Sequence, residues 1–166
     1  FSGVFDGANF EVSGLEINRT SEFVTGLFGK ISELSALKNL KLKNFNINSL
    51  GLSGSLVAWS LEGEISNIET VNASLTSTSN LIGGIVGLNS QSAILTDIQC
   101  YNCSVTSGSS DAGGIVGDNK GQIINARVLQ SNVLGSTSFI GGLAGKNSGS
   151  IYNSYASATV KGKSFL

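Results

Sequence analysis

The sequence contains no histidine, no proline and no methionine, and only two cysteines and one tryptophan. The absence of histidine removes whole classes of function. Without histidine, neither a His-ligated zinc protease centre nor a Ser-His-Asp triad can be assembled from these residues. Charge is equally scarce: Asp, Glu, Lys and Arg make up 13% of the chain and the formal net charge is −1. No basic field therefore exists to draw nucleic acid or an anionic membrane surface. No apolar run approaches the roughly 20 residues that cross a bilayer as a helix, so membrane insertion is not expected in this segment.

What is present is glycine (22), serine (27) and asparagine (16). These residues are poor helix formers that favour turns, and they recur between short Val, Ile and Leu segments. Strands joined by tight corners are the expected product. A period emerges from five tetrads: Gly26-Leu27-Phe28-Gly29, Ser55-Leu56-Val57-Ala58, Gly84-Ile85-Val86-Gly87, Gly114-Ile115-Val116-Gly117 and Gly142-Leu143-Ala144-Gly145. Their first residues lie 29, 29, 30 and 28 positions apart. Asn89, Asn119 and Asn147 follow three of them. A second apolar segment runs in step, as Leu37-Lys38-Asn39, Ile65-Ser66-Asn67, Ile94-Leu95-Thr96, Ile123-Ile124-Asn125 and Ile151-Tyr152-Asn153. A third position closes each unit, at Ile47, Leu75, Val105, Val133 and Val160.

A period of this length marks a solenoid, in which a unit that cannot bury its own apolar face stacks on its neighbours. Segments of four to six residues rich in Ile, Val, Ser and Thr exclude helical units. The expected fold is all-β, a parallel β-helix of about five to six coils of 28–30 residues, with three strands per turn. The units divide as a lead-in coil over 1–24, then repeats over 25–52, 53–81, 82–111, 112–139 and 140–166. The second is degenerate, with Ser55 and Ala58 replacing both glycines and Trp59 directly after, the pattern of an outward bulge or a docking point. Lys161-Gly162-Lys163-Ser164-Phe165-Leu166 parallels the run that leads into Gly141-Gly142, so the chain is expected to be a piece of a longer array with further repeats of its own at both ends.

The recurring residues have backbone explanations. The tetrad glycines Gly26, Gly29, Gly84, Gly87, Gly114, Gly117, Gly142 and Gly145 admit positive φ or a close approach between coils. Asn39, Asn67, Asn125, Asn153, Asn89, Asn119 and Asn147 suit left-handed corners, where amides one coil apart can hydrogen-bond along the axis. The Gly-Leu-x-Gly tetrad followed by Asn and then Ile-x-Asn resembles the GLUG repeat family. The lead-in Phe1-Ser2-Gly3-Val4-Phe5-Asp6-Gly7 resembles the start of such arrays. That resemblance implies a right-handed parallel β-helix in secreted or surface-attached proteins, among them adhesins and non-catalytic parts of surface peptidases.

Catalytic chemistry has few candidates. Asp6, Asp97, Asp111 and Asp118 form no repeated row; Asp111 and Asp118 flank one tetrad and are the one pair placed to meet as glycan-active carboxylates do. No enzyme and no cofactor or metal site is expected. Cys100 and Cys103 form a lone Cys-x-x-Cys, too few thiols for a zinc site. If the segment turns a corner they close a small disulfide loop; if it is extended, one thiol faces inward and the other outward. Asn18, Asn72 and Asn102 each begin an N-glycosylation triplet. Lys38, Lys41 and Lys43 make one local basic stripe, and Trp59, Tyr101, Tyr152 and Tyr155 are the side chains able to stack on a sugar. The expected role is a structural or adhesive surface module, extracellular or at the cell surface, whose ligand is a protein or a glycan; the alternatives are the non-catalytic stalk of a larger surface enzyme such as a peptidase, a filament-forming subunit and, last, a glycan-active β-helix enzyme.

Overall fold

Short aliphatic segments interrupted by residues that tolerate positive φ let the chain bend several times in each repeat and return above its own start. The computed structural model describes residues 1–162. Among these there is no helix, and every strand pairing is parallel. Leu37, Ile65, Leu95, Ile123 and Ile151 lie directly in line, one per layer. The molecule is a parallel β-solenoid. The part of the last unit beyond residue 162, including the proposed lead into a further repeat, lies outside the described residues.

Each turn uses four strand segments rather than three. The longest forms one column, Val4–Ser13, Ala36–Lys43, Glu64–Val71, Ile94–Tyr101, the first half of Gln122–Gly135, and Ser150–Tyr152. A second column holds Glu16–Arg19, Asn46–Ser49, Ser74–Ser77 and Ser104–Ser107, then continues into the later part of Gln122–Gly135. Because that 14-residue strand runs through both columns, they join as one 11-stranded sheet folded at its corner. A column of two-residue strands follows, from Val24–Thr25 to Ile140–Gly141, and then the tetrad column, from Phe28–Ile31 to Ala144–Asn147. The two-residue strands are too short to leave an alternation in the sequence. With six layers in the long column and a spacing of about 4.8 Å, the stack is about 24 Å tall.

Inward rows fill the centre with stacked aliphatic side chains. Leu37, Ile65, Leu95 and Ile123 make one row, Ile47, Leu75, Val105 and Val133 another, and Leu56, Ile85 and Ile115 a third, all fully buried. Each such side chain contributes about 1.5–3 kcal/mol on burial. No turn achieves this alone, because the cover comes from the layers above and below.

Corners are set by residues in the left-handed region. One row comprises Asn39, Asn67, Asp97, Asn125 and Asn153, with φ of 55, 52, 55, 56 and 47°. The third repeat therefore aligns as Leu95-Thr96-Asp97 and not Ile94-Leu95-Thr96; Leu95 pairs with Ile65 and Ile123, and aspartate takes the corner because its short polar side chain tolerates that conformation as asparagine does. A second corner row holds Asn44, Asn72, Asn102 and Gln130, with φ of 55, 54, 51 and 51°.

The tetrad glycines have no positive φ. Gly84, Gly114 and Gly117 are required by proximity: a Cβ on Gly84 would stand 2.8 Å from Cys100 Sγ, one on Gly114 2.8 Å from Val128, and one on Gly117 2.7 Å from the Gly87 carbonyl. Gly29 differs, since a Cβ there would meet only Val24 at 3.7 Å. Nor does the degenerate tetrad bulge outward. Ser55 and Ala58 are fully buried, and Val57 pairs in register with Phe28 and Val86.

Candidate functional site

At each corner of the long column, the left-handed residue and the residue two places on face outward, while the side chain between them turns into the core. Asn67-Ile68-Glu69, Asp97-Ile98-Gln99 and Asn125-Ala126-Arg127 repeat this arrangement in three successive layers. The result is a groove of about 340 Å³ running along the axis. Asn67, Asp97 and Asn125 form one wall and Glu69, Gln99 and Arg127 the other, with the chain at Ile68 and Ile98 as floor. A smaller hollow of about 120 Å³, lined by Asn9, Leu40, Lys41, Asn67 and Glu69, extends it toward the first turns.

Neighbouring layers hold the walls in place. Asn67 Nδ2 donates to Asn39 Oδ1 at 2.8 Å and to Asn9 Oδ1 at 3.2 Å, and Asn125 Nδ2 donates to Asp97 Oδ1 at 3.0 Å. Asn39 in turn donates to Asp6 Oδ1 at 3.0 Å. That bond, with the Ala8 N–H and then the Lys38 charge, holds the Asp6 carboxyl below its ordinary range. On the second wall Lys41 pairs with Glu69 at 3.1 Å and Gln99 Nε2 donates to Glu69 Oε1 at 3.4 Å. Arg127, exposed, has no ion pair among the described residues.

Asn89, Asn119 and Asn147 are not corner residues. Asn89 and Asn119 are fully buried inside the tetrad column without positive φ. Asn89 Nδ2 donates to Asn119 Oδ1 at 2.8 Å and Asn119 Nδ2 to Asn147 Oδ1 at 2.7 Å, an internal amide chain.

Asp111 and Asp118 interact. Burial and then the charge of Asp118 push the Asp111 carboxyl above its ordinary value, against the opposing pull of Lys146. Asp118 is 5% exposed and pairs with Lys120 at 3.6 Å, while one buried oxygen of each aspartate lacks a partner. No group of three or more His, Cys, Asp or Glu placed to hold a metal ion occurs among the described residues. Cys100 and Cys103 are joined as a disulfide. Asn102, at φ 51°, turns the chain between them so that both sulfurs face the core.

The lysine stripe is largely neutralised: Lys38 meets Asp6 at 3.6 Å and Lys43 meets Glu11 at 3.9 Å, beside the Lys41–Glu69 pair. Of the three triplet asparagines, Asn72 Nδ2 donates to Asn44 Oδ1 at 3.2 Å and Asn102 Nδ2 to Asn72 Oδ1 at 2.8 Å, whereas Asn18 stands exposed on the second column. Among the aromatic residues, Trp59 carries Lys30 over its ring at 4.6 Å and donates to Ser90, and the Tyr101 hydroxyl donates to Gln130 at 2.7 Å.

The groove and Asp97 escaped the reading of the sequence, as did the second amide row. Its signal was in view: Asn44, Asn72, Asn102 and Gln130 are 28, 30 and 28 residues apart, the period of the tetrads themselves.

Fold and outer rows together define a repeat protein of the parallel β-solenoid class with stacked amide rows. Residues 136–161 match the family model described as the GLUG motif. Over 97 residues the chain is 32% identical to Halomucin of Haloquadratum walsbyi, a stretch covering 58% of this chain and 1% of that protein. No solved structure matches the chain.

Proposed function

We propose that this chain is a non-catalytic, extracellular or cell-surface module that acts as a stiff scaffold and presents an adhesive outer face. The observation that carries the reading is the continuous stacking of six layers, in which strand bonds and amide rows both run along the solenoid axis. Such a body resists bending while its outward residues vary from layer to layer without disturbing the core. The buried disulfide supports an oxidising compartment, and the GLUG match and the likeness to Halomucin are consistent with it. The matching stretch is 1% of that relative, which favours a small unit of a long protein, including the stalk of a larger surface enzyme. An antibody to the module should label intact, unpermeabilised cells of the source organism, and beads coated with the module should adhere to those cells. Labelling that requires permeabilisation overturns the surface reading.

A further inference from the structure

We propose that the groove along the long column binds an acidic oligosaccharide lengthwise, with a hexuronate carboxylate seated on Arg127. The proposal rests on the adhesive reading above and names its ligand. The walls offer Asn67, Glu69, Asp97, Gln99 and Asn125, planar amide and carboxylate groups at one set per layer. These are the donors and acceptors that pair with sugar hydroxyls, and their bonds to adjacent layers fix them before any ligand arrives.

Two further observations give the groove a direction and a chemistry. Tyr155 lies in register with Arg127 and Tyr152 with Ile124, so the next layer places a tyrosine on either side of the groove's line. They are 55% and 51% exposed, for Tyr152 and Tyr155 respectively, while Trp59 and Tyr101 are already engaged within the protein. An exposed ring beside a polar groove supplies the apolar platform on which a sugar face stacks. Charge sets the remaining term. Glu69 is paired with Lys41, and Asp97, fixed by the neutral amide of Asn125, keeps its charge and accepts from sugar hydroxyls; the planar guanidinium of Arg127, with no ion pair among the described residues, is left to take a carboxylate in bidentate fashion. From Lys41 to Arg127 the groove spans three layer steps, about 14 Å, and Tyr155 stands one step beyond its end, room for a chain of several pyranose rings.

Calorimetric titration with a hexuronic-acid oligosaccharide of about five units, and with its neutral hexose counterpart, tests the assignment. The acidic chain should bind about tenfold more tightly than the neutral one. Arg127→Ala should erase that preference, and Tyr155→Ala should weaken both ligands by about tenfold. Glu62→Gln, away from the groove, should change neither. All three side chains are outward, so an unchanged thermal midpoint confirms that each variant is folded. Absence of binding to both chains, equal affinity for the two, or full affinity in Arg127→Ala overturns the proposal. Bead adhesion separates this failure from that of the parent reading: if wild-type and Arg127→Ala beads adhere equally to cells, the groove assignment falls and the adhesive module stands. If the oligosaccharide binds but beads do not adhere, the reverse holds.

Discussion

The turn carrying Ser55, Ala58 and Ser60 and the turns carrying Gly84 and Gly114 solve the same packing problem with different chemistry. In the regular turns a glycine makes room for the side chain on the facing column, Cys100 Sγ against Gly84 and Val128 against Gly114. In the irregular turn the opposing residue is Thr70, which shares a row with Cys100, and Ser55 meets it through a hydroxyl contact of 3.1 Å while donating to the Gly84 carbonyl at 2.6 Å. A buried pair of hydroxyls has replaced a glycine and a bulkier apolar group. The lesson is that the tetrad position demands a small residue whose polarity is matched across the core, not glycine as such.

That comparison breaks most sharply at Gly114. Gly114→Ala pushes a methyl into Val128 and the Gly142 carbonyl, and should destabilise the protein by about 3 kcal/mol or more in urea unfolding. Ser55→Ala, which removes one oxygen and leaves Thr70 Oγ1 unpaired, should cost about 1–2 kcal/mol. Equal losses at the two sites would show that the approach of Val128 and the Gly142 carbonyl does not demand a glycine at position 114.

Next in size is the clip at the facing row. The disulfide closes a loop of four residues, Cys100 to Cys103, and its removal by Cys100→Ala with Cys103→Ala should cost about 2 kcal/mol on loop-entropy grounds. Hydrogen exchange adds a local test. Amides around Tyr101–Cys103 should speed up in the double variant, and with them the Asn72 amide that donates to the Tyr101 carbonyl, whereas that of Asn44, an equivalent corner two layers away without a clip, should not.

A gain of stability comes from repairing the irregular turn. Ser60 stands in register with Asn89 and occupies the position of the internal amide chain, but its side chain is too short to bridge the layers. Ser60 Oγ and Asn89 Oδ1 are both buried without a partner. Ser60→Asn would extend the chain by one amide and should raise stability by about 1 kcal/mol. An unchanged or lowered urea midpoint would mean that the core beside Ile31, the residue paired with Ser60 on the other side, cannot admit the larger side chain.

The degree to which the sequence disclosed these features follows from their periodicity. Solenoid class, the tetrad register and the closing row Ile47, Leu75, Val105 and Val133 were legible because each recurs at a fixed interval. The bonded strand register requires the same recurrence, since layers can stack only if equivalent residues return in phase. Features that depend on where a side chain points were not legible. Asn89 and Asn39 are the same residue type at similar intervals, yet one is buried in the core and the other turns a corner at φ 55°; spacing carries no information about which. The groove was hidden for the same reason, because two successive outward residues, Ser66-Asn67 and Thr96-Asp97, break a simple alternation just before Ile68 and Ile98 turn inward. Asp97 was missed because an alignment by asparagine slid one residue to reach Thr96.

The smallest expected effect concerns two positions where adjacent turns differ in charge. Leu81 and Leu88 stand one layer from Asp111 and Asp118 at equivalent places, so the fold accepts either apolar or acidic residues there. Burial first and the Asp118 charge second raise the Asp111 carboxyl above its ordinary value of 3.8. Over the window between that value and the raised one, the folded protein keeps a proton that the unfolded chain has released. The unfolded state then binds fewer protons, and stability falls as pH rises through the window. Because Asp111 is partly exposed, solvent screens much of this effect. Asp111→Asn should flatten the fall when urea midpoints of the two proteins are compared across the acidic range. Asp118→Leu, which copies Leu88, should do so in part by removing the repelling charge while leaving burial intact. Should both variants reproduce the wild-type pH profile, the two carboxylates do not communicate, and the difference between these turns is one of surface composition alone.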